Sequence, residues 1–488
     1  MSNIIPILCC DGYKISHREQ YPVGTEMVYS NWTPRGSRIP SVNKVILFGL
    51  QYYIKEYLIK QWNQNFFHRP LKEVVDEYTL MLRSYLGGNI STKHVEELHK
   101  LGYLPIAIRA LPEGTRVPLR VPMFTIYNTL PSFFWLTNAL ETQLSCVIWQ
   151  PCTSATIAFE YLKKFHEFAD ITGGSKDFIP FQGHDFSYRG MGGTEAAELS
   201  GAGHLLCFAG TDTIPAIQFL RDYYNADIST ELIGCSVPAS EHSVMSVGGL
   251  DDEIGLFFRL ITEVYPKGIV SIVSDTWDYW RVITEFLPKL KDTIMNREGK
   301  VVIRPDSGDP VKIVCGDPDA SEGSPERKGS IECMWEIFGG TTNDKGFRTL
   351  DQHIGLIYGD SITMERQQKI LEQLAAKGFA SDNIVLGVGS FTYQYNTRDT
   401  FGFALKTTGA IVNGKFVPVF KSPKGDALKK SARGGLIVKE ENGELVLQDG
   451  FSELPNVPED KLELVFLNGK LLVNHTLSEI RTRIKDQL

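Results

Sequence analysis

Cysteine is scarce in this sequence. Eight occur in 488 residues, two of them adjacent at Cys9 and Cys10, and no pair has the C-x-x-C spacing. That argues against a zinc ribbon and against a disulfide-stapled scaffold, and it predicts a reducing, cytoplasmic setting. No apolar run approaches the roughly 20 residues of a membrane span. Residues 1–10 are apolar but lack the basic start and small-residue cleavage site of a signal peptide. Positive charge is not in excess either: 50 Lys and Arg stand against 58 Asp and Glu, a net charge of -8. A nucleic-acid partner held through its phosphates needs a basic face, so none is expected, although a local basic pocket stays open. What is present, 42% hydrophobic and 22% charged residues, is the composition of a globular chain long enough for more than one domain.

The most informative stretch is 301–310, Val-Val-Ile-Arg-Pro-Asp-Ser-Gly-Asp-Pro. Three β-branched residues fit a short buried strand, which Pro305 and Gly308 stop, and Arg304 and Asp306 stand at the break. The same form recurs. Residues 205–208 run into Gly210-Thr211-Asp212-Thr213, 269–273 into Ser274-Asp275-Thr276, and 354–357 into Gly359-Asp360-Ser361. A lone loop aspartate ordinarily caps the next helix. Four in series, each after an apolar run and before a helical pattern, point to a parallel sheet whose strand ends share a carboxylate-lined mouth.

Along the chain, a strand is expected at 26–32 and helices at 44–62 and 71–86, the second stopped by Gly87-Gly88. Alternation at Ile106, Ile108 and Ala110, divided by Pro112, Pro118 and Pro122, predicts short strands. Helix returns from 132 to about 169, broken near Pro151. Strand–loop–helix alternation begins near Gly173. Its helix after Asp360 has Thr363 as cap, an apolar stripe of Met364, Ile370, Leu371 and Leu374, and Gly378 as stop. Residues 316–330 read as an exposed insertion. After Asn396, Asn413-Gly414, Asn442-Gly443 and Asn468-Gly469 each sit between alternating apolar segments and predict hairpins. The expected organisation is a discontinuous α+β domain, 1–172 with 396–488, flanking an α/β barrel-like domain, 173–395.

Several stretches carry candidate chemistry. Residues 183–193, Gly-His-Asp-Phe-Ser-Tyr-Arg-Gly-Met-Gly-Gly, place Phe186 where it could stack on a flat ring and glycines where backbone could approach a ligand; a buried aromatic beside a turn reads equally well. His242 follows Pro238 at a strand end of the same series. Residues 384–390 run a strand into Gly387-Val388-Gly389-Ser390, half a dinucleotide fingerprint with Thr392 where the third glycine would stand. Small residues there expose amides to phosphate. Arg398, Lys406, Lys421 and Lys429, with the basic loop Arg35-Gly36-Ser37-Arg38, suit either a solvated face or a pocket for a highly charged anion.

Asp-Gly-Tyr-Lys at 11–14, His-Asp-Phe-x-Tyr-Arg-Gly at 184–190, Gly-Thr-Asp-Thr at 210–213, Ser-Val-Pro-Ala-x-Glu-His-Ser at 236–243, Arg-Pro-Asp-Ser-Gly at 304–308 and Leu-Asn-Gly-Lys at 467–470 occur in one order. The chain resembles the nicotinamide phosphoribosyltransferases of bacteria and their phages over nearly its whole length. The resemblance implies a type II phosphoribosyltransferase fold, an incomplete α/β barrel packed on a mixed α+β domain, and a head-to-tail homodimer with active sites at the interface. It implies that Phe186, and Tyr13 of a second copy, sandwich nicotinamide, with Asp212 accepting from the carboxamide and Ser236, Ser271 and Arg304 nearby. Asp306, Gly359 and Asp360 match the ribose site; Gly389, Ser390 and Arg398 match the 5′-phosphate site. Arg35, Arg189, Lys406, Lys421 and Lys429 match the basic residues around phosphate and pyrophosphate. His242 matches the histidine that ATP phosphorylates, and Asp275 its carboxylate support. Mg²⁺ is expected mainly on the pyrophosphate.

Two positions depart from the family: Gly355 stands where animal enzymes have arginine, and Ser390 replaces a phosphate-loop glycine. The implied reaction joins nicotinamide to 5-phosphoribosyl 1-pyrophosphate (PRPP), releasing pyrophosphate, and serves NAD salvage. The acidic-pair motif of type I transferases is missing, which agrees with type II. Nicotinate phosphoribosyltransferase is the near rival, and Asp212 argues against it because carboxylates repel. An aldolase or metal-hydrolase barrel would need a strand-end Schiff-base lysine or a His-x-His pair, and neither is found. A non-catalytic phosphosugar-binding protein is the third alternative, disfavoured by His242, Asp306 and the basic set.

Overall fold

The computed structural model describes residues 4–88, 90–359, 361–421 and 432–488, so Asp360 and Lys429 lie outside the described residues. The chain divides into two compact units, one of 1–156, 220–226 and 396–488, the other of 157–219 and 227–395.

The first unit is built on a seven-stranded antiparallel sheet. Its order is Lys415–Pro418, Ala404–Val412, Thr25–Thr33, Phe124–Asn128, Ile106–Ala110, Glu463–Leu467, Lys470–Leu471. Early and late strands interleave, so neither end of the sequence builds this sheet alone. Trp32 is fully buried in it and stacks on Phe124 and Phe403, with ring centroids 6.0 and 5.3 Å away. All three Asn-Gly pairs make tight hairpins. Asn413, Asn442 and Asn468 have φ of 50°, 53° and 48°, and the glycines after them 71°, 79° and 81°, the two positive values that a type I′ turn requires. The helix Leu71–Leu86 buries Val74, Tyr78 and Leu82 and ends at Gly87.

Three expectations need correction here. Residues 44–62 are not one helix: Lys44–Ile46 pairs as a strand with Arg116–Pro118, and helix starts only at Leu50. It then runs through π-helical segments, Tyr53–Gln61 and Asn63–Phe67. Pro151 does not break its helix, which is continuous over Leu136–Thr172. The lost backbone hydrogen bond is local, whereas Leu144, Ile148, Cys152, Ala155 and Ala158 are all buried around it. The division between units consequently falls inside this helix rather than at 172/173.

The second unit holds a six-stranded, wholly parallel sheet. Its order is Gly210–Thr211, Gly183–Asp185, Ile384–Val388, Ile354–Tyr358, Val301–Arg304, Val270–Val273. The two edges do not stay open. Gly210 bridges Cys235, and Ala239 bridges Ser271, both in parallel sense, so residues 235–239 complete a ring of seven positions. Eight strands close a regular barrel of this class; this ring is one short and irregular. Ile272, Ile303, Ile384, Leu386 and Val388 are fully buried in it, each worth about 1.5–3 kcal/mol relative to exposure. The run 205–208 proves not to be a strand: it closes the helix Thr194–Leu205, and the strand that follows is only Gly210–Thr211. The helix Met364–Ala376 is capped by Thr363, whose hydroxyl accepts from the Arg366 amide, and buries Ile370, Leu371 and Leu374. Segment 316–330 contains the one-turn helix Pro325–Lys328 and is exposed chiefly at its tip.

Candidate active site

Each strand of the ring ends where a singled-out residue begins. Phe186 follows Asp185, Asp212 follows Thr211, Arg304 closes its strand, Asp275 comes two residues after Val273, and Gly359 and Gly389 follow Tyr358 and Val388. Parallel strands deliver these residues to one rim, the carboxyl end, where backbone groups no longer pair with each other.

Inside the ring is a cavity of about 400 Å³, lined at this rim by His184, Phe186, Asp212, Ser236, Ser271 and Arg304. It continues along the barrel axis to Ile269, Lys300 and Asp382 at the amino ends of the strands. Asp212 Oδ1 accepts from Ser236 Oγ at 2.7 Å and lies 2.8 Å from His184 Nε2. Partial burial alone would push the Asp212 carboxyl up. The bonds from His184 and Ser236, with the electrostatic pull of His184 and Arg304, outweigh it and hold the group below its usual range. Both bonds end on one oxygen, so the other can accept from a ligand. Ser271 Oγ and Arg304 Nε are buried without a hydrogen-bond partner, while another guanidinium nitrogen, Nη2, donates to the Ser240 carbonyl at 2.9 Å. Unsatisfied buried polar atoms are costly, so a polar ligand here gains by meeting them. Phe186 leans on His184, ring centroids 4.4 Å apart. A Cβ at Gly387 would stand 2.7 Å from the Phe186 ring, so that ring lies directly on bare backbone.

Next along the rim are His242, Asp275 and Asp306. The Asp306 amide donates to Asp275 Oδ2 at 3.0 Å. Asp275 Oδ1 is buried without a hydrogen-bond partner and lies 3.7 Å from His242 Nε2. The His242 side chain is 47% exposed, opens the helix His242–Val247, and has Nδ1 3.3 Å from Thr276 Oγ1. Asp306 packs on Gly359, where a Cβ would stand 2.6 Å from its Oδ1. Ser390 begins a one-turn helix, Ser390–Tyr393, packed against the turn Tyr188–Gly190 that carries the exposed Arg189. Among the described residues no group of three His, Cys, Asp or Glu could hold a metal ion.

The first unit contributes a separate cluster. Lys406 is exposed overall; partial burial of its amine lowers its pKa, Glu141 raises it, and Arg35, Arg398 and Lys14 lower it further. Four cations thus crowd together, with Glu141 bound to Lys14 at 2.6 Å. Arg35 is oriented by its Nε, which donates to the Gly402 carbonyl at 2.8 Å. Lys421 is exposed, and Tyr13, 64% exposed, packs only loosely on His17, centroids 5.2 Å apart.

Residues 181–454 match the profile of the nicotinate phosphoribosyltransferase family, and residues 5–108 match the N-terminal domain of nicotinamide phosphoribosyltransferase. A nicotinamide phosphoribosyltransferase of Acinetobacter baylyi is 50% identical, across 99% of this chain and 98% of that protein. The chain belongs to the nicotinamide phosphoribosyltransferase family. Proteins of the same name from Xanthomonas campestris and Mycoplasma pneumoniae are 33% and 35% identical, over 97% and 88% of this chain and 97% and 94% of their own lengths. Two solved structures share the fold at 16% identity. A nicotinate-nucleotide pyrophosphorylase from Pyrococcus furiosus has a TM-score of 0.59 and covers 98% of this chain and 94% of its own. Human nicotinic acid phosphoribosyltransferase has a TM-score of 0.51, with 97% and 91% covered. The fold is that of the type II phosphoribosyltransferases.

Set against the family pattern, the second unit brings together Phe186, Asp212, Ser236, Ser271 and Arg304 at one cavity and places His242, Asp275, Asp306 and Gly359 along the same rim. Arg35, Arg398 and Lys406 meet in the first unit. Sequence reasoning missed His184, Lys14 and Glu141 as site residues. His184 could have been found, since it lies two residues from Phe186 on a strand and so shares its face. Lys14 and Glu141 are 127 positions apart, and nothing local joins them.

Proposed function

We propose that the protein transfers the phosphoribosyl group of PRPP to nicotinamide, forming nicotinamide mononucleotide and pyrophosphate in NAD salvage in the cytoplasm. The observation that carries this reading is Asp212, held ionised at the cavity with one oxygen satisfied by His184 and Ser236. A carboxamide N–H can donate to its second oxygen, while the carboxylate of nicotinate would be repelled. Phe186 supplies one aromatic face, and the unpartnered Ser271 and Arg304 atoms suit the carboxamide oxygen. As the bond from C1 to pyrophosphate breaks, the ring nitrogen forms the new bond to C1 and pyrophosphate leaves with the electron pair. The cations Arg35, Arg398 and Lys406 suit the phosphate and pyrophosphate groups, and Gly389 and Ser390 the 5′-phosphate. Mg²⁺, carried mainly by the pyrophosphate, would neutralise part of the leaving charge.

Coupling to ATP through phosphorylation of His242 belongs to the same proposal. Its support is an accessible imidazole beside the otherwise unpartnered Asp275 Oδ1. A homodimer belongs to it too, with Tyr13 of a second copy completing the ring sandwich. Tyr13 is 64% exposed and so is free to meet a ring bound by a second copy. The deciding experiment compares mononucleotide formation from nicotinamide and from nicotinate, each with PRPP, with and without ATP. Turnover of nicotinamide well above nicotinate is expected. Preference for nicotinate would overturn the reading.

A further inference from the structure

The turn 389–393, read above as the 5′-phosphate turn, is pinned from several sides within its own unit. Thr392 Oγ1 donates to the Ile362 carbonyl at 3.0 Å, and Gln394 Oε1 accepts from the Gly192 amide at 2.8 Å. Ser390 packs against Gly190, where any Cβ would collide with it. The fourth contact reaches into the protein. Tyr393 is buried, and its hydroxyl lies 2.7 Å from Nδ1 of the fully buried His204. The other ring nitrogen, Nε2, lies 3.0 Å from the carbonyl of Gly210.

Chemistry assigns the protons. A carbonyl only accepts, so Nε2 carries hydrogen and donates to Gly210. In the neutral ring Nδ1 then carries none, and it accepts from the Tyr393 hydroxyl. The neutral form is the one expected, because burial, partly offset by the Asp185 carboxylate, pushes the imidazole down to about 4. Gly210 begins the strand Gly210–Thr211, pairs across the sheet with His184, and stands two residues before Asp212. One buried, directional chain of bonds therefore joins the phosphate turn to the strand that presents the base-recognising carboxylate.

We propose that His204 is a positioning residue, which through Tyr393 on one side and Gly210 on the other fixes the spacing between the phosphate turn and Asp212. It lines no part of the cavity and touches no reacting atom. Its importance follows from what transfer demands: C1 and the ring nitrogen must be held about 3–3.5 Å apart, and a misplacement of about 1 Å costs roughly a hundredfold in rate. The inference rests on the reading of Gly389 and Ser390 as the phosphate site.

The test is Tyr393→Phe, which keeps the ring and removes the hydroxyl, examined by calorimetric titration with PRPP and by steady-state kinetics. Affinity for PRPP should fall about fivefold, the size of one net hydrogen bond, and kcat should fall with it. KM for nicotinamide should stay within about twofold, since Asp212 keeps its own partners. A companion measurement records ¹⁵N imidazole signals in the unmutated protein, with His204→Gln used for assignment. One ring with a protonated Nε2 and a bare Nδ1, unchanged from pH 6 to 8, is expected. Equal weakening of both substrates, no change in PRPP affinity, or the opposite tautomer would overturn the proposal. A chain that binds PRPP yet makes no mononucleotide would count against the proposed activity alone; one that binds no PRPP would overturn both.

Discussion

Asp212 receives both its hydrogen bonds on one oxygen, and this asymmetry decides what a substitution there does. In Asp212→Asn the amide oxygen can still take the bonds from His184 and Ser236, leaving the NH₂ toward the ligand. A donor would then face the carboxamide's own donor, while nicotinate would gain a partner. Charge-assisted bonds are worth about 1.5–3 kcal/mol, so selectivity for nicotinamide over nicotinate should drop roughly tenfold or more. Competition kinetics with both bases check this; an unchanged ratio would remove Asp212 from the recognition role. At His242 the expectation is different in kind. His242→Ala should abolish ATP hydrolysis and ATP stimulation while leaving transfer measurable at high substrate, and undiminished stimulation would end the coupling proposal. These two residues were singled out in the sequence by the motifs around them, Gly-Thr-Asp-Thr and Ser-Val-Pro-Ala-x-Glu-His-Ser. Strand pattern did not mark them, since the run before Asp212 closes a helix and the segment before His242 makes only isolated bridges. His204 was not singled out: it sits in the last turn of its helix, after a small-residue stretch, and only the fold gives it Tyr393, 189 positions away, as a partner.

Elements were legible where their signals are local. The three Asn-Gly hairpins and the capped helix Met364–Ala376 need only neighbouring residues, and they form as expected. The strand Gly210–Thr211 has two residues, one of them glycine, too little pattern to separate from the helix before it. The start of the helix at Leu50 depends on a distant side chain, Glu113, which accepts from the amides of Gln51, 62 positions away, at 2.6 Å and of Gly49 at 3.3 Å. Burial pushes the Glu113 carboxyl up to about 7, against the lowering effect of those amides. The folded state therefore keeps a proton that the unfolded chain releases. Stability from this group is full below about pH 4.3, the ordinary glutamate value, and declines as pH rises toward 7. Glu113→Gln, neutral at every pH, should flatten that slope by about 3 kcal/mol between pH 5 and pH 8, on top of a pH-independent loss because its NH₂ cannot accept from the second amide. Urea melts at pH 5 and pH 8 measure it, and an unchanged pH dependence would show that Glu113 is ionised in the folded state.

At the scale of the whole molecule, Tyr13 and Phe186 belong to different compact units, and Tyr13 carries an exposed aromatic face. If a second copy supplies Tyr13, then mixing Tyr13→Ala with Phe186→Ala subunits should restore part of the lost turnover in heterodimers. Verified heterodimers without any recovery would place the site within one chain. The parallel barrel itself was readable from repeated strand and helix; its closure was not, because residues 235–239 touch their neighbours through single bridges. Backbone hydrogen bonds hold that segment only at its two ends, Thr211 N to Cys235 O and Cys235 N to Ala209 O at one, Ser271 N to Pro238 O and Ser240 N to Ser271 O at the other, with the Ser236 side chain on Asp212 between them. A barrel assembled this way has one stave that can lift while the other six stay laddered, and that stave bears Ser236. Its amides should exchange with deuterium faster than those of Ile303 or Leu386 and should slow when nicotinamide binds, which mass spectrometry would detect. The base would then act as the missing cross-link of its own container.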